Sequence, residues 1–278
     1  MAGTEGRIPF RGFRTWYEIV GEREEPGRLP LLCLHGGPGS SHDGLEPLRR
    51  LARQGRRVVF YDQLGGGDSD RPADPSLWTV DTFLDQLRTV RDALGLERLV
   101  LFGSSWGGML ALEYALTRPD GLVALVLNST PPSAPRWAEE TRRLAAELPP
   151  GLDGKEADKE FWRRHVCRLE PEPAPLQRAR RKFGKQVYEA MWGPNEFTVT
   201  GTLKDWDVSA RLGEIEVPTL ITSGRHDECT PAVVEILHRG IVGSEWVVFE
   251  ESAHMPHHEE TERYLDVVGS FLDRVEKR

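Results

Sequence analysis

Cysteine is scarce. Cys33, Cys167 and Cys229 are odd in number and far apart, so neither a disulfide framework nor a Cys-x-x-Cys metal site is expected. No run of about 18 apolar residues is present to span a bilayer as a helix. The opening residues, Met1 to Arg7, lack the apolar centre of a secretory signal. A reduced, cytoplasmic chain is the plain expectation. A surplus of basic charge is also missing, since 36 Lys and Arg face 44 Asp and Glu for a net charge of -8. Neither nucleic acid nor an anionic membrane surface is therefore expected as a main partner. No internal repeat is visible, and the sequence carries no signal for a particular oligomeric state.

Two further absences remove decoys. Gly65-Gly66-Gly67 is not followed by Gly-Lys-Ser/Thr, so a turn is preferred to a phosphate loop. His254, His257 and His258 have near-ligand spacing, but no His-Glu-x-x-His stands nearby and Pro256 interrupts any helix. No metal and no cofactor is expected.

What is present is a rhythm of buried strands and helices. Arg14–Val20, Leu31–Leu34, Arg57–Tyr61, Leu99–Phe102, Leu122–Leu127, Val217–Thr222 and Trp246–Phe249 have the apolar and β-branched content of strands. Val80, Phe83, Leu84, Leu87, Val90 and Leu94 follow the helical period, with Thr79 as N-cap and Gly95 as stop. Pro231 opens another helix, and Tyr264, Leu265, Val268, Phe271 and Leu272 set the apolar face of a closing one. Strands separated by crossovers predict an α/β fold with a mostly parallel central sheet flanked by helices, and ligands at the strands' carboxyl ends. The rhythm breaks at Pro131-Pro132. Helical segments around 137–148, 160–169 and 175–192 predict a helical cap over 131–205, inserted into a core made of 1–130 and 206–278. Their aromatic residues argue against a disordered linker.

Gly103-Ser104-Ser105-Trp106-Gly107 sits between a strand and a helix, the setting of the nucleophile elbow of α/β-hydrolases. Side chains at Gly103 and Gly107 would collide with the neighbouring strand and helix, and Ser105 would stand on strained backbone. The order Ser105, Asp227, His254 is that of a Ser–acid–His triad in this fold, each residue lying just after a strand. A serine hydroxyl needs an imidazole to remove its proton, and a carboxylate to fix the ring's tautomer. Asp227 has an alternative role as a helix N-cap near Pro231. The oxyanion would be met by the backbone N–H groups of Trp106 and of Gly37, in the His35-Gly36-Gly37-Pro38-Gly39 loop. His35 is expected to be a structural hydrogen-bonding residue rather than a base. Cys229 adjoins the site, so thiol reagents are expected to inhibit by obstruction while a Cys229→Ala enzyme stays active.

At these residues the chain resembles the proline iminopeptidases, including the tricorn-interacting aminopeptidases. The likeness rests on His35–Gly39, Asp62-Gln63 with its Gly-rich tail, and Gly103–Gly108. It continues at Gly193-Pro194-Asn195-Glu196-Phe197, Thr200-Gly201-Thr202 and Lys204-Asp205-Trp206-Asp207. It covers the chain except roughly 135–190. The resemblance implies that Glu196 and Glu228 hold the substrate's free α-ammonium, against the alternative that both are solvated surface acids. It implies serine-dependent release of an N-terminal proline, or a small or apolar residue, from peptides, amides or arylamides through an acyl-enzyme. An L-amino-acid amidase or esterase, a general carboxylesterase or lactonase, and a silent hydrolase fold serving as a binding module are the alternatives. An Asp-nucleophile epoxide hydrolase or dehalogenase is excluded by serine at position 105.

Overall fold

The computed structural model describes residues 3–277. Met1, Ala2 and Arg278 lie outside the described residues. Eight strands form one sheet in the order β1-β2-β4-β3-β5-β6-β7-β8. The strands are β1 (Thr4–Phe10), β2 (Phe13–Val20), β3 (Leu31–Leu34), β4 (Val58–Tyr61), β5 (Leu99–Ser104), β6 (Leu122–Asn128), β7 (Thr219–Gly224) and β8 (Glu245–Phe249). β1, β2 and β4 pair antiparallel, and every pairing from β4–β3 to β7–β8 is parallel.

The two-residue period of a strand divides the core into two layers. Leu32, Leu34, Val59, Tyr61, Leu99, Leu101, Leu125 and Leu127 face one side. Leu31, Cys33, Val58, Phe60, Val100, Phe102, Ala124 and Val126 face the other. Burial on both faces explains why these strands read as unbroken apolar runs rather than alternating ones. The first side is covered by α1 (Val80–Ala93), α2 (Trp106–Leu116) and α7 (Pro231–Gly240). α2 is enclosed nearly all round, which is why it has no polar stripe. The second side is covered by α9 (Thr261–Val275), which follows the one-turn α8 (Pro256–Glu259), and by a 3-10 segment, His42–Gln54.

α1 begins as expected, with the Thr79 hydroxyl accepting the Thr82 N–H. Between β6 and β7 the chain forms α3 (Ala134–Ala146), α4 (Gly154–Phe161), α5 (Ala174–Arg181) and α6 (Lys185–Met191). The expected helix near 160–169 starts earlier, because Asp153 and Glu156 make a reciprocal capping box, and it ends in a π-helical turn over Trp162–Val166. The expected helix over 175–192 is two helices, broken at Gly184. There the backbone N–H donates to Gly39 O at 2.7 Å, and a Cβ would overlap the Gly65 carbonyl. Close passage over the loops after β3 and β4 is incompatible with a continuous helix.

Candidate active site

The elbow is built as its glycines require. A Cβ on Gly103 would overlap the Gly107 carbonyl, and one on Gly107 the Leu34 carbonyl. Ser105 takes φ 55° and ψ -121°, a conformation that costs a non-glycine residue of order 1–3 kcal/mol. The strain is held because Ser105 N–H donates to Asn128 O at 2.9 Å, while its carbonyl accepts from Gly108 and Met109 N–H. A Cβ on Gly36 would lie 3.2 Å from Ser105 Cβ, so the loop after β3 runs directly beside the serine. Gly37, at φ 114°, folds that loop so tightly that a Cβ would lie 2.6 Å from Gly39 N. As the first residue of α2, Trp106 has an N–H with no partner inside the helix.

The loops that carry Asp227 and His254 are joined by backbone. Arg225 N–H donates to Phe249 O at 2.9 Å and His226 N–H to Ser252 O at 3.0 Å, and a side chain on Gly224 would strike Ala253 O. Asp227 Oδ1 accepts from His254 Nδ1 at 2.7 Å and from Cys229 N–H at 2.8 Å. It does not cap α7, whose N-cap is Thr230. With Nδ1 committed to Asp227, Nε2 of His254 is the nitrogen left for proton traffic. The ring is wedged edge-on against Trp137 at 5.6 Å, and its backbone carbonyl takes the Ser129 hydroxyl at 3.1 Å. Burial opposes the charged imidazolium. The Asp227 carboxylate, with Glu196 and Glu259 behind it, outweighs that penalty, so His254 titrates above the usual 6.5.

Ser105, His254, Gly37, Glu196 and Glu228 all line one cavity of about 360 Å³. Glu228 is 3% exposed, with Oε1 3.9 Å from His254 Nδ1 and Oε2 buried without a hydrogen-bond partner. Burial first, and then the charges of Glu196 and Asp227, hold its carboxyl well above the usual range. Glu196 keeps part of its surface open to the cavity. Burial is still the leading reason its carboxyl is shifted up, against the Tyr188 hydroxyl that donates to Oε1 at 2.7 Å. Two acids in one cavity, with the charge of one opposing ionisation of the other, resist joint ionisation unless a cation joins them. Neither is a solvated surface acid.

His35 has both ring nitrogens engaged. Nε2 accepts Gln63 N–H at 2.9 Å and Nδ1 lies 2.9 Å from Gly36 O, while burial lowers the ring's pKa. Gln63 then returns its amide to His35 O and accepts Trp106 Nε1–H at 2.7 Å. His35 thus ties the loop after β3 to the elbow helix. His257 and His258 turn their Nε2 atoms to the Gly44 carbonyl, at 2.9 and 2.8 Å. His42, Asp62 and Asp68 bring ligand atoms within 4.8 Å of one another. Protein donors already meet that charge: Asp62 takes the N–H groups of His42 and Asp68 at 2.7 Å, and Lys182 Nζ lies 2.6 Å from Asp68.

One expectation is corrected. Cys229 is fully buried, and burial together with the Asp227 and Glu228 charges pushes its thiol well up. So little thiolate forms, and so little surface is offered, that thiol reagents should leave the folded protein unmodified rather than obstruct it. Three supporting residues escaped the sequence reading. Tyr188 holds Glu196, and the carbonyl of His165, on the π-turn, accepts Glu228 N–H at 3.0 Å. Glu259 accepts the N–H groups of Ala253 at 2.9 Å and Met255 at 3.2 Å, fixing the His254 loop from below.

Comparison with known proteins agrees with the fold. Residues 30–261 match the family model described as alpha/beta hydrolase fold. A proline iminopeptidase of Clostridium botulinum is 39% identical, the match covering 99% of this chain and 99% of the relative. One from Saccharolobus solfataricus is 42% identical over 98% of this chain and 93% of the relative. Among solved structures, a proline iminopeptidase of Mycobacterium smegmatis superposes with a TM-score of 0.93 at 37% identity, covering 98% of this chain and 99% of its own. VinJ superposes with the same score at 40% identity and the same coverage. The chain therefore belongs to the α/β-hydrolase fold family and, within it, to the proline iminopeptidases.

Proposed function

We propose that this protein is a serine aminopeptidase that releases an N-terminal prolyl residue, or a small apolar one, from peptides, amides or arylamides. The observation that carries the reading is a pair of acids, buried Glu228 and half-buried Glu196, in the same cavity as Ser105 and His254, whose ring is held by Asp227. A substrate ammonium between the acids relieves their repulsion and replaces its own lost hydration. It also sets a ruler, because one residue separates that ammonium from the carbonyl beside Ser105. An acyl hydrolase thereby becomes an exopeptidase.

In this mechanism Ser105 Oγ attacks the carbonyl carbon as His254 Nε2 takes its proton. The carbonyl oxygen becomes an oxyanion met by the N–H groups of Gly37 and Trp106, each such donor contributing about 3–4 kcal/mol to the barrier reduction. The C–N bond then breaks, and the imidazolium passes its proton to the departing amine. Water, deprotonated by the same imidazole, hydrolyses the acyl-enzyme and restores Ser105. Asp227 holds the ring's tautomer throughout. Residues 131–205 act as a cap that supplies Glu196, over a core of 1–130 and 206–278. No helix among the described residues is long and apolar enough to cross a membrane. Cytoplasmic residence belongs to this proposal, on the strength of the free, widely spaced cysteines.

The test is a released-residue assay across free and N-acetylated aminoacyl arylamides and amides. The proposal expects prolyl arylamide to be cleaved and its N-acetyl form to be inert. Equal turnover of both would remove the aminopeptidase reading and favour a general esterase or amidase.

A further inference from the structure

We infer that the cavity holds a second apolar subsite, built around Gly44 and Leu176, for the residue that follows the scissile bond. The inference rests on the aminopeptidase reading above, because that reading fixes the direction of the substrate. The ammonium lies at Glu196 and Glu228, and the departing nitrogen must face His254, which protonates it. The first side chain stays among the rings beside the acids. Phe197 follows Glu196 and packs edge-on against Phe161 at 5.0 Å, and Phe183 lies 5.1 Å from Tyr188.

From His254 the cavity wall continues along the chain to Met255 and His257. His257 lines it and reaches the Gly44 carbonyl at 2.9 Å, where His258 joins it at 2.8 Å. The two imidazoles anchor Gly44 through its backbone. Gly44 itself lines the cavity, and a Cβ there would meet a single atom within 4 Å, Leu176 Cδ2 at 3.9 Å. Leu45, Leu176 and Ala179 complete the wall, each no more than 6% exposed. α5, which carries Leu176 and Ala179, is fixed to the core by Arg178 on Asp43 at 3.0 Å, and the Lys182 that follows it bridges Asp43 and Asp68 at 3.0 and 2.6 Å. Apart from His257 this wall is apolar and tied down. Because it continues from His254, which protonates the departing nitrogen, we place it on the leaving-group side. A leucyl or phenylalanyl second residue would be buried there, and a glycyl one would leave the space unfilled.

The experiment compares kcat/KM on Pro-Gly, Pro-Leu, Pro-Phe and prolinamide for the wild-type protein and for Gly44→Leu. Wild type should favour Pro-Leu and Pro-Phe over Pro-Gly by about tenfold or more. Gly44→Leu should lose about tenfold more on Pro-Leu than on prolinamide, with the ranking of first residues among simple amino-acid amides unchanged. Should Gly44→Leu fail to fold, Gly44→Ala and Leu176→Ala carry the same comparison, the first narrowing the preference and the second shifting it from Leu towards Phe. Second-residue rates within about twofold of one another in the wild type, or a changed ranking of first residues in the Gly44 variants, would overturn the inference. Ready turnover of prolinamide alongside such a result would leave the aminopeptidase reading standing. Failure on every free-amine prolyl substrate would remove both.

Discussion

Replacing Glu196 by Gln isolates the charge that the account places opposite the substrate ammonium. The side chain keeps its shape, and Tyr188 can still donate its hydroxyl to the remaining oxygen, a contact of 2.7 Å in the native protein. What disappears is one of two anionic partners in a cavity where burial is the dominant influence on both acids. A charge-assisted hydrogen bond, or truncation of one member of a buried charge pair, is worth about 2–4 kcal/mol. That predicts a fall of roughly 30- to 700-fold in kcat/KM for prolinamide or prolyl arylamide. An aryl ester with no amine makes no use of the clamp, and its hydrolysis should change less than about threefold. The ester also provides an internal check. Glu196 is one of the charges that raise His254, so the acid limb of ester hydrolysis should move to lower pH in the variant. Equal losses on amine and ester substrates, with no movement of that limb, would refute the clamp.

Other outcomes follow from the same geometry. His254 must be neutral to accept the serine proton and is raised above 6.5, so activity should fall as pH drops through a value above 6.5. The substrate amine, with a pKa near about 7.7–8.0, must stay charged, so the profile should peak at neutral to mildly alkaline pH; a plateau extending down to pH 5 would contradict this. Because Ser105 sits at φ 55°, Ser105→Gly should be more stable than Ser105→Ala by about 1–2 kcal/mol in urea titration, and equal midpoints would argue that the elbow is unstrained. Cys229→Ala should retain activity, and the native protein should resist alkylation until denaturant is added; rapid modification at neutral pH would show the site to be more open than its burial indicates.

Legibility of the fold followed burial. β3, β5 and β6 are enclosed on both faces, and their apolar runs marked them to within two residues. β1 escaped because it is an edge strand in which only Ile8 and Phe10 are buried, too little for a pattern. The 3-10 segment escaped because Leu45, Leu48 and Leu51 repeat every three residues, a period that matches neither an α-helix nor a strand. At the site, residues at strand ends were recoverable from order along the chain, as the 2.7 Å contact between Asp227 and His254 illustrates. Tyr188 and the His165 carbonyl were not. Nothing in the sequence pattern distinguishes either from a packing residue. Tyr188 reaches only to Glu196, beyond the end of its own helix. The His165 carbonyl acts through a long-range approach of the π-turn to the loop after β7. The break at Gly184 has the same origin, since its cause is the Gly39 and Gly65 carbonyls well over a hundred residues away.

In the proposed mechanism one alcohol, Ser105, is made nucleophilic by an imidazole held against Asp227. The most direct test is fluorophosphonate labelling followed by peptide mass spectrometry, on native protein and on His254→Ala. A single adduct on Ser105 is expected in the native protein, with loss of prolyl arylamide turnover in step with its formation and labelling slowed by orders of magnitude in the variant. Full turnover by protein already labelled at Ser105, or equal labelling rates with and without His254, would contradict it.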